Sequence, residues 1–158
     1  MNIRRVFKDA FAVIGKAGQG PAQDAYQWVA PLWEDANAHY AEIAGIILKG
    51  ADGAPSGMWG AMNDFGETNG RWGDDGGRYM AGCEADVGAE APEGWTKWII
   101  PAQTYIVADC RMDYSYGEVF DKITNDPDIT IIAAVHERYP DPGDPGAVEL
   151  YFPVAEGK

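Results

Sequence analysis

Residues 147–154 read Ala-Val-Glu-Leu-Tyr-Phe-Pro-Val and predict the last strand of the chain. Successive side chains of a strand point to opposite faces of a sheet, so Glu149 and Tyr151 share one face while the apolar residues share the other. A buried carboxylate needs a compensating partner, because an unpaired buried charge is costly. Two interpretations follow. Glu149 faces a ligand of complementary charge, or it lies on the wet face of an antiparallel sheet.

The composition is that of one globular domain with a hydrophobic core. The chain has 158 residues, of which 46% are hydrophobic. The formal net charge of -13 disfavours binding to nucleic acid phosphates, and the sequence has no basic stripe that would favour such binding. We recognise no transmembrane run and no signal peptide, so we expect no membrane partner and a cytoplasmic protein. Six Trp and eight Tyr beside many carboxylates favour a pocket for a flat cation.

No sequence pattern indicates a site for a metal or a cofactor. Cys83 and Cys110 lie in predicted strands, and we expect both to be reduced thiols. No zinc-site spacing accompanies them, and the acidic loop 63–77 does not fit the EF-hand template. We therefore expect no metal and no cofactor, and we predict that this loop is long and mobile. His39 and His136 are isolated, and we predict that both lie at the surface.

Hydrophobic periodicity predicts two helices, one over roughly 24–46 with Asp24 as its N-cap and one over 114–125. Segment 128–135 is either a strand or a helix continuation. Further strands are predicted over 6–16, 58–62, 78–87, 95–100, 104–110 and 147–154. This order predicts an α+β domain that spans the chain. Both helices would lie on one face of an antiparallel sheet, and the other face would be free to form a groove.

Several short motifs occur in order along nearly the whole chain. They are Phe11-Ala12-Val13-Ile14-Gly15, Leu32-Trp33, Met58-Trp59-Gly60, Tyr79-Met80-Ala81-Gly82, Ile100-Pro101-Ala102-Gln103-Thr104-Tyr105, Glu137-Arg138-Tyr139 and Glu149-Leu150-Tyr151-Phe152-Pro153-Val154. The ordered set resembles the GyrI-like small-molecule-binding domain, also called the AraC-type effector-binding domain.

The resemblance implies a single domain, 1–158, of two pseudo-symmetric β-α-β-β modules, roughly 1–88 and 89–158, with a ligand cleft between them. It also implies that the carboxylate of the last strand, Glu149 here, lies in the cleft and pairs with cationic, aromatic, drug-like ligands. The family's domain occurs fused to DNA-binding regions of transcription regulators and as free-standing proteins. This chain resembles the free-standing type. Some free-standing relatives open the cyclopropane ring of DNA-alkylating natural products, and others protect DNA gyrase from toxins.

Glu149 is the central candidate for a site. As a binding group it would neutralise a cation in a cleft of low dielectric constant, and as a catalyst it would act as a general base on water. Tyr105 or Tyr151 would complete a catalytic pair with it. Asp109 is a further ligand-binding candidate that would add negative charge to the cleft. The aromatic candidates, each of which also fits a core position, are Trp59, Tyr79, Trp95 and Trp98. By alternation, Glu84 should lie on the face opposite Tyr79.

Three hypotheses about function remain open at this point. The first is a module that binds hydrophobic, cationic or planar aromatic small molecules in order to sequester or sense them. The second is a hydrolase that uses Glu149 and a tyrosine against an electrophilic ring. The third is an acidic protein-interaction module of the gyrase-protecting type. The sequence leaves the choice between binder and hydrolase, the oligomeric state and a protein partner open.

Overall fold

Eight strands form one antiparallel sheet in residues 2–155, which are the residues that the computed structural model describes. The helices are α1 (Ala25–Ala38) and α2 (Tyr116–Thr124). The strands are β1 (Ile3–Lys8), β2 (Phe11–Gly20), β3 (Met58–Asn63), β4 (Gly77–Ala85), β5 (Thr96–Ile100), β6 (Gln103–Arg111), β7 (His136–Tyr139) and β8 (Ala147–Val154). Within these residues no helix has the length and apolar character needed to cross a membrane.

The strand order β1-β6-β8-β7-β3-β4-β2-β5 reveals two matching modules. One consists of β2, α1, β3 and β4, the other of β6, α2, β7 and β8, and they meet where β3 pairs with β7. The strand preceding each module pairs with the other module, because β1 adds to β6 and β5 adds to β2. The predicted α+β class with two β-α-β-β modules is thereby confirmed. The boundary near residue 88 stays a prediction.

Both helices pack on the same face of the sheet, which we call the helix face. Helix α1 covers apolar side chains of β2 and β4, such as Ile14 and Ala81. Helix α2 covers those of β6 and β8, such as Ala108 and Leu150. The period of two in each strand places these residues on one side and their sequence neighbours on the other. The prediction of two helices on one face is confirmed.

The opposite face, which we call the inner face, is closed by curling of the sheet. Five strand-to-strand steps separate β1 from β4, which in a flat sheet would amount to about 24 Å. Yet Lys8 Nζ of β1 lies 3.1 Å from Glu84 Oε2 of β4. The space inside the curled sheet is filled by side chains from seven strands, β1 to β6 and β8. The side chains of the described residues fill the inner face. The ligand cleft expected on this face stays a prediction.

Several element boundaries differ from the predicted ones. The single strand predicted over 6–16 is two strands, and β2 continues through Gly18 and Gly20 because it pairs with β4 along its whole length. Helix α1 ends at Ala38, and Asp24 makes no side-chain cap. Segment 128–135 is neither a strand nor a helix, apart from an isolated bridge at Ile131. The missing strand is β7, which is short and carries charged residues.

The loop predicted to be mobile, 63–77, is held by specific hydrogen bonds. Asn63 Oδ1 accepts from the backbone N–H of Asp64 and of Asn69. The carbonyl of Asn69 in turn accepts from the N–H of Ala134. These bonds tie the loop to the segment that precedes β7, so the loop borders the junction of the two modules.

Candidate functional site

A buried carboxylate lies at the junction of the two modules. Glu137 of β7 points to the helix face, and only 5% of its surface is exposed. Its Oε1 accepts hydrogen bonds from the hydroxyls of Tyr79, at 2.5 Å, and Tyr139, at 2.9 Å. Its Oε2 accepts from the hydroxyl of Tyr116, at 2.6 Å. We call these three residues the tyrosine cluster. It joins β4, β7 and α2 around a single carboxylate.

A glycine on the neighbouring strand makes this arrangement possible. Gly60 of β3 lies directly opposite Glu137 in the ladder. A Cβ atom at position 60 would lie 2.5 Å from Glu137 Oε1 and would also overlap the hydroxyl of Tyr79. The Trp33 indole of α1, in the same module as Gly60 and Tyr79, donates to that same hydroxyl at 3.0 Å. Both helices thus contribute to the surroundings of Glu137.

The hydrogen-bond partners of Glu137 are neutral groups that satisfy its oxygen atoms without adding a positive charge. Among the described residues its hydrogen-bond partners are phenols, and no Lys or Arg forms an ion pair with it. Burial raises the pKa of Glu137, and the three phenol hydrogen bonds oppose that rise. Burial also raises the pKa values of Tyr79 and Tyr116, and the adjacent carboxylate adds to the effect. The phenols are therefore neutral donors at physiological pH.

Two pockets lie on the helix face, one lined by residues of α1 and the other by residues of α2. The α1 pocket has a volume of about 280 Å³ and is lined by Trp33, Tyr40, Met58 and Cys83 among others. The α2 pocket has a volume of about 350 Å³ and is lined by Met62, Trp72, Tyr116 and Phe120 among others. We call the two pockets, together with the tyrosine cluster between them, the interhelical groove. Its walls are aromatic and sulfur-containing side chains around one acidic group.

Glu149, the carboxylate predicted to bind a ligand, points to the inner face and is already paired with two arginines. Arg4 Nη2 lies 2.6 Å from Glu149 Oε2, and Arg138 Nη1 lies 2.8 Å from Glu149 Oε1. Arg4 also pairs with Asp109 at 3.0 Å, and Arg138 donates to the carbonyl of Ser56. We call Arg4 and Arg138 the arginine pair. Both oxygens of Glu149 thus have cationic partners from the chain itself.

The tyrosines predicted beside Glu149 are packed in the core of the inner face. The rings of Tyr105 and Tyr151 lie 5.2 Å apart, and the rings of Trp59 and Tyr151 lie 4.8 Å apart. The Tyr105 hydroxyl accepts from Gln103, and burial raises the pKa of Tyr105 to about 12. No hydrogen bond joins Tyr105 or Tyr151 to Glu149 in the described part of the chain. The predicted catalytic pair is therefore not assembled.

The remaining predicted site residues are distributed over both faces. Tyr79 and Trp59 do not share a face, because Tyr79 points to the helix face and Trp59 to the inner one, so they do not form one stacking surface. Trp95 and Trp98 are buried, and their indoles donate to Glu42 and Glu67 rather than forming an open rim. Asp109 is half-exposed beside Arg4. As predicted, Glu84 lies opposite Tyr79, where it accepts from the Trp59 indole.

Comparisons with known proteins agree with this architecture. The family model of integron-associated effector binding proteins matches residues 6–154. The chain belongs to this family. Family membership supports small-molecule binding as the general function. No curated protein matches the sequence at a significant level.

Solved structures that resemble this family member share its fold at low sequence identity. The protein SAV2435 bound to tetraphenylphosphonium is 18% identical, with a TM-score of 0.71 over 99% of this chain and 95% of that one. A putative transcription regulation protein from Staphylococcus aureus is 18% identical, with a TM-score of 0.69 over 98% of each chain. An integron cassette protein from Vibrio cholerae is 13% identical, with a TM-score of 0.62 over 98% and 97%.

The groove residues of this effector binding protein that sequence reasoning missed are Glu137, Tyr116, Tyr139 and Gly60. The motifs Glu137-Arg138-Tyr139 and Met58-Trp59-Gly60 contain three of them, and alternation along β7 would have placed Glu137 and Tyr139 on one face. The prediction that His136, the residue before Glu137, lies at the surface was wrong. His136 is 2% exposed, accepts from the N–H of Met62, and burial lowers its pKa to about 4.

Proposed function

We propose that this protein binds lipophilic cationic small molecules in the interhelical groove, with Glu137 as the counter-charge. The observation that carries the proposal is a buried carboxylate whose partners in the described chain are three phenols. A buried ionised carboxylate is costly without a cation nearby. A ligand that brings a positive charge into the groove would lower that cost, and this gain is the source of its affinity.

The aromatic walls suit the same class of ligand. Trp33, Tyr116 and Tyr139 are partly exposed around the carboxylate, and the rings of Trp33 and Tyr139 meet edge-to-face at 5.3 Å. Aromatic faces attract cations through their negative quadrupole, the more so where water is excluded. A delocalised or quaternary cation also loses little hydration energy on entering such a site. These features favour large organic cations over small metal ions.

The comparisons support the proposal at the level of fold and family. The family is one of effector binding proteins, and the similar structure of SAV2435 contains tetraphenylphosphonium, a lipophilic organic cation. This chain shares its fold with SAV2435. We extend the ligand class to this chain because its groove combines aromatic walls with an acidic group that lacks a cationic partner in the described residues.

The test is isothermal titration calorimetry with tetraphenylphosphonium on the wild type, Glu137→Gln and Glu149→Gln. We expect Glu137→Gln to weaken binding by about 30-fold or more, because it removes the counter-charge from a desolvated site. Glu149→Gln should change the affinity by less than about threefold, since the charge of Glu149 is already compensated.

The Glu149→Gln protein serves as the matched control, and circular dichroism should verify that both variants are folded. Unchanged affinity in Glu137→Gln would overturn the proposed site. Loss of affinity in Glu149→Gln alone would instead assign the ligand to the inner face, as the sequence predicted.

The hydrolase and protein-interaction hypotheses have weaker support. A hydrolase that uses Glu149 needs a carboxylate free to take a proton, whereas both oxygens of Glu149 are held by the arginine pair.

A sequestering role and a sensing role both require the same groove. Sensing would in addition require a partner chain that reads the liganded state.

A further inference from the structure

The interhelical groove has two separate apolar compartments, and its charge lies between them. Met58, Gly60 and Met62 alternate along β3 on the helix face. Met58 lines the α1 pocket, Met62 lines the α2 pocket, and Gly60 lies opposite Glu137. Four residues of strand span about 13 Å, so each pocket is centred on one side of the carboxylate.

Each pocket has a lining residue that also belongs to the hydrogen-bond network of Glu137. Trp33 lines the α1 pocket, and its indole donates to the hydroxyl of Tyr79, which in turn bonds Glu137. Tyr116 lines the α2 pocket, and its hydroxyl donates to Glu137 directly. A ligand whose charge lies over the tyrosine cluster would therefore have one pocket within reach in each direction.

Each pocket is large enough for an aromatic ring. Their volumes of about 280 and 350 Å³ both exceed that of a cavity of about 150 Å³ known to hold benzene. Neither pocket is lined by an acidic residue, so the charge of Glu137 lies outside both of them. Arg71 is among the residues that line the α2 pocket, and its positive charge disfavours a cation inside that pocket relative to one beside Glu137.

We propose that the groove selects cations that carry two aromatic lobes on opposite sides of the charge, one lobe for each pocket. This inference rests on the proposed function and specifies its ligand class. A cation with a single aromatic arm would fill one pocket and leave the other to water. Two short arms would bury apolar surface at both ends of the groove while the charge stays over Glu137.

The experiment compares two isomeric quaternary ammonium ions by titration calorimetry. Bis(phenethyl)dimethylammonium carries two single-ring arms, and (biphenylylpropyl)trimethylammonium carries both rings on one arm. The isomers have the same formula and charge, so general hydrophobicity does not distinguish them. We expect the two-armed ion to bind about tenfold more tightly, because it buries an additional ring in the second pocket.

Blocking variants test whether each pocket takes one arm. Asn37 lines the α1 pocket at its exposed edge, and Gly117 lines the α2 pocket with open space where a side chain would extend. Asn37→Phe and Gly117→Phe should each remove the advantage of the two-armed ion. Asn37→Ala and Gly117→Ala, which leave the pockets open, should retain it.

The outcomes separate this inference from the proposed function. Equal or tighter binding of the one-armed ion, with both affinities lost in Glu137→Gln, would overturn the two-pocket inference and leave the cation site intact. If Glu137→Gln binds both ions as well as the wild type does, the proposed function fails and the inference fails with it. An advantage of the two-armed ion that persists in both blocking variants would also overturn the inference.

Discussion

Glu137 and Glu149 lie on neighbouring strands, β7 and β8, yet their surroundings are opposite in kind. Glu137 faces the helices and accepts from three neutral phenols. Glu149 faces the inner side of the sheet and pairs with Arg4 and Arg138. Glu137 is buried and Glu149 is partly buried, and both are fully hydrogen-bonded, so the presence of hydrogen bonds does not separate them.

The difference lies in which charges the chain supplies. Around Glu149 the arginine pair compensates the negative charge, and this group stabilises the fold by joining β1, β7 and β8. Around Glu137 the phenols satisfy the oxygen lone pairs but leave the net charge in place. The cation site that we propose is therefore identified by a carboxylate without a cationic partner in the described residues, rather than by a carboxylate in an apolar strand.

The largest effect should come from filling the space that lets Glu137 meet the tyrosine cluster. Gly60→Ala should lower the free energy of unfolding by roughly 4 kcal/mol, because the new methyl group overlaps two buried polar groups and breaks their hydrogen bonds. Urea denaturation measures this loss. Gly117→Ala, where a Cβ meets open space in α2, should be neutral or slightly stabilising. Equal stability of both variants would show that the Glu137 network contributes little to folding.

A smaller effect should distinguish the structural carboxylate from the binding one. Glu149→Gln should lower the free energy of unfolding by about 2 kcal/mol, because it leaves two partly buried guanidinium groups without their carboxylate. Glu137→Gln should cost less than about 1 kcal/mol, because its amide oxygen still accepts from phenols, its amide N–H can donate to a phenol oxygen, and no charge is buried. Chemical denaturation of the two variants side by side checks this order. The reverse order would contradict the division of roles that we propose.

The smallest effect concerns pH. Burial raises the pKa of Glu137 above its ordinary value of 4.5, so the ionised form is disfavoured in the folded protein. The contribution of this group to stability is therefore fully present below 4.5 and is lost as pH rises through the folded pKa. Cation binding has the opposite dependence, because it requires the ionised form.

We therefore expect the affinity for tetraphenylphosphonium to fall by up to about tenfold for each unit of pH below the folded pKa of Glu137. Calorimetry between neutral and mildly acidic pH on the wild type checks this trend. Glu137→Gln should bind weakly with no such slope. A wild-type affinity that stays constant down to pH 4.5, where an ordinary carboxyl is half-protonated, would contradict the role of an ionised Glu137.

Sequence patterns predicted the elements that carry strong periodicity. The alternation of 147–154 and the apolar run of 104–110 correspond to β8 and β6, and the amphipathic run of 114–125 corresponds to α2. Strand β7 escaped prediction because its four residues, His136–Tyr139, include a histidine, a glutamate and an arginine. Its charged residues are tolerated at the centre of the sheet only because residues distant in sequence, such as Tyr79 and Glu149, provide partners.

Periodicity is a local property of the chain, so it was enough to predict the fold class, the two helices and the division of each strand into two faces. A cation-binding carboxylate was also predicted, and that role stays a prediction. The folded arrangement shows which of the two carboxylates lacks a cationic partner among the described residues. Strands β1 and β8 pair with opposite sides of β6, which brings Arg4 within reach of Glu149. The phenols around Glu137 come from β4, α2 and β7 itself. Charge compensation depends on distances between residues far apart in the chain, and alternation along a strand carries no information about them.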